Sequence, residues 1–199
     1  MRTLAAAVAL LALGGTAAAQ PAYGPPPAPP PTRGNIILGG GLGVGTFAVQ
    51  VGDEEAEEYD ESFAYELRFG GMITPTLGLG VELFGLNQDD AAPDDTGEEF
   101  DVFQRNIGAW IRWWAMPRLW LQGGIASARV GARSETFDDV SYKGVGISGA
   151  VGFEILHAPK YALDIDLRLA AAGYDTESEL GDDLKTQSAS FGLAFNWFF

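Results

Sequence analysis

Apolar and polar residues alternate along most of the chain after residue 34. Between residues 63 and 73 the odd positions hold apolar side chains such as Phe63, Leu67 and Phe69, whereas Glu66 and Arg68 stand on even positions. A period of two residues sends successive side chains to opposite faces, which is typical of a β-strand with one apolar and one polar face. The pattern recurs along the chain, and the sequence predicts eight strands.

Short breaks and long polar segments separate these strands in turn. Pro75, Pro117 and Pro159 each lie in a short break, and they are spaced 42 residues apart. Long acidic segments lie at 52–62, 89–101, 132–142 and 175–185. A strand, a long loop, a second strand and a short turn form a hairpin unit. Four such units predict an all-β, up-and-down antiparallel barrel.

Alternation alone fits either a soluble barrel with an apolar interior or a membrane barrel with an apolar exterior. The polar positions carry glycine, serine and charges of both signs, which suits a narrow, crowded interior. The apolar face extends for about ten residues per strand, enough for a tilted strand to cross an outer membrane. Aromatic residues gather near strand ends, with Trp113, Tyr161 and Trp197 toward the short turns and Phe63 and Phe103 toward the long loops. The sequence therefore predicts an eight-stranded transmembrane β-barrel.

The first 33 residues differ from the rest of the chain. Residues 1–19 begin with Arg2, continue with an apolar stretch and end at Ala17–Ala19, which is the layout of a cleaved secretory signal peptide. Residues 20–33 are rich in proline and predict a disordered, extended linker. The linker is interpreted as a tether, with a docking peptide for the cell wall or a periplasmic partner as the alternative. The barrel domain is predicted over residues 34–199.

The C-terminal strand carries a family resemblance. It ends FGLAFNWFF, in which Phe191, Leu193, Phe195, Trp197 and Phe199 alternate along one face. This ending resembles the C-terminal signal of bacterial outer-membrane barrels, and the chain resembles the eight-stranded barrels of OmpX and of the OmpA transmembrane domain. The resemblance implies location in the cell outer membrane and contact with outer-membrane lipid and lipopolysaccharide. It also implies recognition by the barrel assembly machinery through Gly192, Phe195, Trp197 and Phe199.

The charge of the chain is unevenly distributed. There are 27 acidic and 12 basic residues, and the resulting net charge of −15 without any basic stripe excludes nucleic acid as a partner. Of the 27 acids, 22 fall in the four long polar segments. The other five lie on the predicted inner face, where an unpaired carboxylate is costly, so we expect them to pair with the three arginines of that face. The predicted ion-pair network consists of Glu66, Arg68, Glu82, Arg112, Glu154, Asp164, Asp166 and Arg168.

Two groups of charges indicate ligands. Clustered carboxylates in the loops suit divalent cations. Because no ordered ligand spacing predicts a specific metal site, the loops are interpreted as a solvated, repulsive surface, with capture of divalent cations as the alternative. Arg105 and Arg129 are interpreted as the only strand charges on the lipid-facing side, near the loop ends of the fourth and fifth strands. We expect them either to contact lipid phosphates or to snorkel to the interface.

Enzyme and pore functions are the remaining alternatives. The chain has no cysteine, which excludes cysteine nucleophiles and thiolate metal sites. Small barrels that modify lipid A use His and Ser at the outer rim, but His157, the single histidine, lies in a predicted short turn at the opposite end. A narrow pore is disfavoured because eight strands enclose space only for side chains, and Phe84, Trp110, Trp120 and Phe198 point inward. The sequence predicts a non-enzymatic barrel with a filled lumen and without cofactor, metal or catalytic residue, serving envelope integrity or surface interaction.

Overall fold

The computed structural model describes residues 33–52, 56–91, 100–133, 140–175 and 183–199. This part of the chain forms eight β-strands: β1 (Ile36–Val51), β2 (Glu57–Thr74), β3 (Leu77–Ala91), β4 (Phe100–Trp114), β5 (Leu119–Arg133), β6 (Val140–Ala158), β7 (Tyr161–Asp175) and β8 (Leu184–Phe198). In these ranges no helix is long and apolar enough to span a membrane.

The eight strands form one closed antiparallel barrel. Each strand pairs with its neighbours in the chain, and β8 pairs with β1 to complete the ring. Leu42 of β1 lies opposite Leu193 of β8, and backbone hydrogen bonds of 3.2 and 3.0 Å join Ile36 and Phe199 at the ends of these strands. Closure leaves no free sheet edge. The predicted all-β, eight-stranded, up-and-down barrel is confirmed.

The connections between strands differ at the two ends of the barrel. Residues 75–76, 115–118 and 159–160 form three short turns, and residues 33 and 199 lie at the same end. These turns contain the regularly spaced Pro75, Pro117 and Pro159, which have no backbone N–H to donate to a strand ladder. We refer to this end as the short-turn end. The opposite end, where the four longer connections lie, is the loop end.

The wall of the barrel separates apolar from polar side chains. Outward residues such as Ile125 and Val145 are 67% and 72% exposed, whereas the even-numbered Ser62, Glu66 and Arg68 of β2 point inward and are buried. Because side chains alternate across a strand, one face of every strand meets the surroundings and the other meets the lumen. The outer face is apolar, as predicted, and the inner face carries charged side chains together with apolar ones.

Buried apolar side chains lie in the lumen at both ends. The layer at the short-turn end is named the floor and contains Ile37, Trp110, Trp114, Trp120, Ala162 and Phe198. The layer at the loop end is named the roof and contains two clusters. One cluster is Phe47, Ala64, Phe84, Leu86 and Val102. The other is Ala128, Val130, Ala172, Tyr174 and Leu184.

Charged side chains lie between the floor and the roof. This layer is named the charged belt and contains Glu66, Arg68, Glu82, Arg112, Asp164, Asp166 and Arg168. Glycine on the inner wall makes room for it, because a methyl group at Gly41 would lie 2.8 Å from Oε1 of Glu66. The glycines that alternate along β1 therefore serve packing inside the barrel.

Several sequence predictions fall on residues that the structure does not describe. These are the signal peptide at 1–19, the linker as far as residue 32, and most of the loop acids expected to bind divalent cations. Arg33 is the first described residue and is buried in the short-turn end, although the sequence places it in the linker. The next residue, Gly34, passes so close to the backbone of Phe199 that a side chain there would collide with it.

Candidate functional site

Arg168 of β7 is the centre of the charged belt. Its Nη1 lies 2.7 Å from Oε1 of Glu82, and its Nη2 lies 2.8 Å from Oε2 of Glu66. Glu66 also forms an ion pair with Arg68, which donates a 3.2 Å hydrogen bond to Oδ1 of Asn196. All of these side chains are buried. A planar guanidinium that bridges two carboxylates gives each of them a charge-assisted partner in a medium of low dielectric constant.

Arg112 of β4 extends the belt toward the floor. Its Nε donates a 2.9 Å hydrogen bond to Oε1 of Gln122, and its guanidinium lies 3.6 Å from the ring centre of Trp120. Nη1 of Arg112 is 3.7 Å from Oδ2 of Asp164, which also accepts a 2.9 Å bond from the Trp120 indole. Gln122 in turn donates to Glu82 at 2.7 Å. Side chains from four strands are thereby linked across the lumen.

Asp166 is the member of the predicted network with the fewest contacts. Its side chain is buried, yet within the described residues it forms no hydrogen bond or ion pair, and its Oδ2 has no partner. The structure joins six of the eight predicted residues through direct polar contacts: Glu66, Arg68, Glu82, Arg112, Asp164 and Arg168. Asp166 lies among these residues without a direct ion pair, and Glu154 lies nearer the short-turn end.

Glu154 of β6 lies beside the floor residue Trp114, at the short-turn end of the lumen. Its Oε1 accepts hydrogen bonds from Nη2 of Arg33 at 2.8 Å and from the indole of Trp114 at 2.7 Å. Its Oε2 is 2.6 Å from Nδ1 of His157. Arg33 also donates to the carbonyl of Pro117 at 2.9 Å, and its guanidinium lies over Trp114 at 4.4 Å from the ring centre. These contacts hold Arg33 at the short-turn end.

The structure corrects the sequence analysis at this end in two respects. The cation that pairs with Glu154 is Arg33, 121 residues earlier in the chain, and not one of the three predicted arginines. This pairing arises because residues 33–35, directly before β1, place Arg33 at the short-turn end. His157, which is expected in a turn, lies within β6 and contacts Glu154.

Three cations form a row on the outer wall near the loop end. Arg105 of β4 lies directly opposite Arg129 of β5, and Arg129 lies directly opposite Lys143 of β6. The Ser141 hydroxyl oxygen accepts bonds of 3.2 and 2.7 Å from Nε and Nη2 of Arg129. The Arg105 guanidinium packs 5.0 Å from the ring centre of Phe103. Arg105, Arg129 and Lys143 are named the cation row.

The outer wall carries more strand cations than the sequence analysis expects. Lys143, Arg133 and Lys185 also lie in strands, in parts that extend farther toward the loops than the apolar alternation indicates. Arg133 packs on the same Phe103 ring as Arg105, at 4.9 Å. Arg105 and Arg129 are therefore not the only outward strand charges, and this sequence prediction is wrong. The alternation could have placed Lys143 on the outer face, because it stands two residues before the outward Val145.

The residues expected to form an assembly signal lie at the end of β8. Phe195 and Trp197 point outward with ring centres 5.9 Å apart, and Phe199 stacks on Trp197 at 5.7 Å. Tyr161 of β7 stacks on Phe195 at 5.9 Å. These rings form a continuous aromatic band at the short-turn end, and Gly192 lies in the same strand nearer its centre.

The sequence matches a family model along most of its length. The model of the outer membrane protein beta-barrel domain covers residues 6–196. The chain belongs to this family. As a member of the outer membrane protein beta-barrel domain family, it is an outer-membrane protein that crosses the membrane with the eight strands described above. The predicted location and the predicted class are thereby confirmed.

Solved structures share the fold at low sequence identity. Ail, the attachment invasion locus protein of Yersinia pestis, is 12% identical with a TM-score of 0.55, over 82% of this chain and 99% of Ail. Neisserial surface protein A is 14% identical with a TM-score of 0.56, over 82% of this chain and 97% of that protein. Ail in complex with the heparin analogue sucrose octasulfate gives a TM-score of 0.52 at 12% identity, over 82% of this chain and 99% of Ail. No match was found among curated protein sequences.

Proposed function

We propose that this outer-membrane barrel is a non-enzymatic protein with a filled lumen that serves envelope integrity or surface interaction. The observation that carries the proposal is the succession of floor, charged belt and roof across the lumen. Trp120 and Phe198 in the floor and Phe84 and Leu86 in the roof are at most 4% exposed. An eight-stranded barrel encloses only enough space for such side chains, which supports a barrel that does not conduct ions.

Conductance measurements test the filled lumen. The purified full-length protein is reconstituted in planar bilayers, with a large-pore porin as the positive control. We expect no steady channel steps above the protein-free baseline. Reproducible open-channel steps of one size would overturn the filled lumen and favour the pore alternative.

The surroundings of the single histidine support a non-enzymatic role. His157 lies at the short-turn end, at the opposite end of the barrel from the loops. Its Nδ1 is 2.6 Å from Oε2 of Glu154. Among the described residues, no group of three His, Cys, Asp or Glu side chains is placed to hold a metal. Incubation of the reconstituted protein with lipopolysaccharide should leave the mass spectrum of lipid A unchanged. A new lipid A species that requires the folded protein would contradict this proposal.

The acidic loop segments support a surface interaction with divalent cations. They hold 22 of the 27 acidic residues of a chain with net charge −15. Ail, a structural neighbour, was solved in complex with the heparin analogue sucrose octasulfate, whereas loops of this charge would repel a polyanion. Calorimetric titration of the refolded protein with Ca²⁺ should give saturable heat, because clustered carboxylates are good ligands for this ion. Absence of heat at millimolar Ca²⁺ would remove the interaction.

The aromatic band supports a role in recognition by the barrel assembly machinery. The proposed signal consists of Gly192, Phe195, Trp197 and Phe199, and the last three belong to the exposed aromatic band. The variant Trp197→Ala with Phe199→Ala should lower the amount of heat-modifiable barrel in the outer-membrane fraction. Phe63→Ala is the control, because Phe63 is an exposed aromatic residue of β2 away from this end. Equal assembly of the double variant and the control would contradict the role of the band.

A further inference from the structure

Within the described residues, the cation row forms none of the ion pairs with carboxylates that the arginines of the lumen form. Like charges that face each other on neighbouring strands repel, and here three cations face one another in succession. Lys143 lies opposite Asp175 on its other side, but within the described residues no ion pair forms between them. Nε of Arg105 is buried and has no hydrogen-bond partner. The row therefore presents positive charge that an external anion can neutralise.

The wall between the row and the short-turn end is apolar. Ile107, Ser127 and Val145 lie two residues from the row on their strands, toward the short-turn end. They lie opposite one another across the three strands. Ile107 and Val145 are 62% and 72% exposed, as expected of side chains that contact hydrocarbon. An anion bound at the row would therefore lie next to an exposed apolar surface. This arrangement suits the phosphate and acyl chain of a lipid better than a free phosphate.

A depression lies farther along the same strands. Gly123 of β5 and Gly149 of β6 face each other directly. An added methyl group at either position would have no neighbour nearer than 3.9 Å, so both glycines open outward. These two glycines are named the glycine notch, and the exposed Ile125 and Ile147 stand between the notch and Ser127 and Val145.

The spacing of the row and the notch matches one leaflet of a bilayer. The notch stands six residues from the row on each strand, as from Arg129 to Gly123. Six residues of strand span about 20 Å. For a strand tilted by about 40°, this corresponds to about 15 Å of depth, half of a hydrocarbon core of about 30 Å. A lipid whose phosphate is at the row would reach the notch with the end of its acyl chain.

We infer that the cation row and the glycine notch form a binding site for one anionic, phosphate-bearing lipid of the outer leaflet. Arg105, Arg129 and Lys143 bind the phosphate, and the apolar wall down to Gly123 and Gly149 accommodates an acyl chain. Ser141 holds the guanidinium of Arg129 in place at 2.7 Å. The inference extends the predicted contact of Arg105 and Arg129 with lipid phosphates and does not depend on whether the lumen conducts.

Lipid retention measured by native mass spectrometry tests the site. The full-length protein in an uncharged detergent is titrated with phosphatidylglycerol, with phosphatidylcholine of the same acyl chains, and with glycerol phosphate as a free phosphate. The test variant is Arg105→Gln, Arg129→Gln, Lys143→Gln. Its matched control is Arg118→Gln, Lys160→Gln, Lys185→Gln, which removes three exposed cations outside the row. Gly123→Leu with Gly149→Leu fills the notch without removing charge. Heat-modifiable gel migration verifies folding of each variant.

The inference predicts a defined order of binding. The unaltered protein and the control should retain phosphatidylglycerol at least tenfold better than phosphatidylcholine, and the row variant should lose at least tenfold of that retention. The notch variant should lose about threefold or more, and glycerol phosphate should not displace the lipid. Equal retention by the row variant, an equal loss in the control, or displacement by glycerol phosphate would each overturn the site. Unchanged retention by the notch variant would overturn the acyl-chain contact.

Discussion

The arginines inside the barrel and the cations on its outer wall differ in how their charge is compensated. Arg168 contacts two carboxylates at 2.7 and 2.8 Å, and Arg33 contacts Glu154 at 2.8 Å. Arg129 on the outer wall is held by a neutral hydroxyl, and its cross-strand neighbours are Arg105 and Lys143. The same type of side chain is thus neutralised within the protein in one place and presented to an external anion in the other.

This difference indicates separate roles for the two sets of charges. A buried ion pair is costly to break, because removal of one partner leaves the other charge without compensation in a low dielectric medium. An exposed cation has no such dependence and contributes little to folding. Substitution of the inner arginines should therefore change stability, whereas substitution of the outer cations should change ligand binding.

Removal of Arg168 should give the largest change in stability. In Arg168→Met, the buried carboxylates of Glu66 and Glu82 lose their shared cation. We expect the free energy of unfolding in urea, followed by tryptophan fluorescence of the detergent-solubilised protein, to fall by about 3–5 kcal/mol. Arg118→Met at the exposed β4–β5 turn is the control and should change it by less than about 0.5 kcal/mol. If Arg168→Met behaved like this control, the charged belt would not have the structural role argued for it.

Removal of Arg33 should have a smaller effect, because Glu154 keeps its polar contacts with Trp114 and His157. Arg33→Ala deletes the bonds to Glu154 and Pro117 and the packing on Trp114. The expected loss in the same unfolding measurement is about 1.5–3 kcal/mol, the range for hydrogen bonds to charged groups. Arg33→Lys keeps the charge but not the planar stacking, so its free energy of unfolding should lie between those of the unaltered protein and Arg33→Ala. A full loss in Arg33→Lys would assign the effect to packing instead of charge.

The fold could be predicted from the sequence because one physical rule governs nearly every residue of a barrel wall. Alternation with a period of two assigns Glu66, Arg68 and Arg168 to the lumen and Val145 to the exterior, and all four lie there in the structure. Short turns then place strands that are consecutive in the sequence next to each other in the sheet. Pairing of β8 with β1 follows from closure.

The details of pairing could not be predicted, because parity gives the face of a residue and not its height in the barrel. Glu154 has the inward parity of the belt residues but stands near the short-turn end, where Arg33 reaches it from outside the predicted barrel domain. Lys143 was overlooked for a related reason. β6 begins at Val140, before the regular apolar alternation that starts at Val145, so this alternation does not assign Lys143 to a strand.

Asp166 tests whether a buried charge in the lumen contributes to the free energy of unfolding when it forms no ion pair. Asp166→Asn removes a carboxylate that has no direct partner within the described residues, so the free energy of unfolding should change by less than about 1 kcal/mol. Glu82→Gln, which weakens contacts with Arg168 and Gln122, should cost about 1.5–3 kcal/mol. Equal losses in the two variants, measured by urea unfolding, would mean that position in the belt matters more than direct contact.

The smallest effect on stability is expected for the cation row, and its sign should depend on lipid. In an uncharged detergent at low salt, Arg105→Gln, Arg129→Gln, Lys143→Gln relieves repulsion between facing cations. The free energy of unfolding should then rise by up to about 0.5 kcal/mol, and 1 M salt should remove the gain by screening. With phosphatidylglycerol present, a bound lipid stabilises only the unaltered protein, so the order of stabilities should reverse. Reversal would establish that the outer cations act through a ligand and the inner arginines through one another. The same order with and without the lipid would show that the row differs from the belt only in exposure.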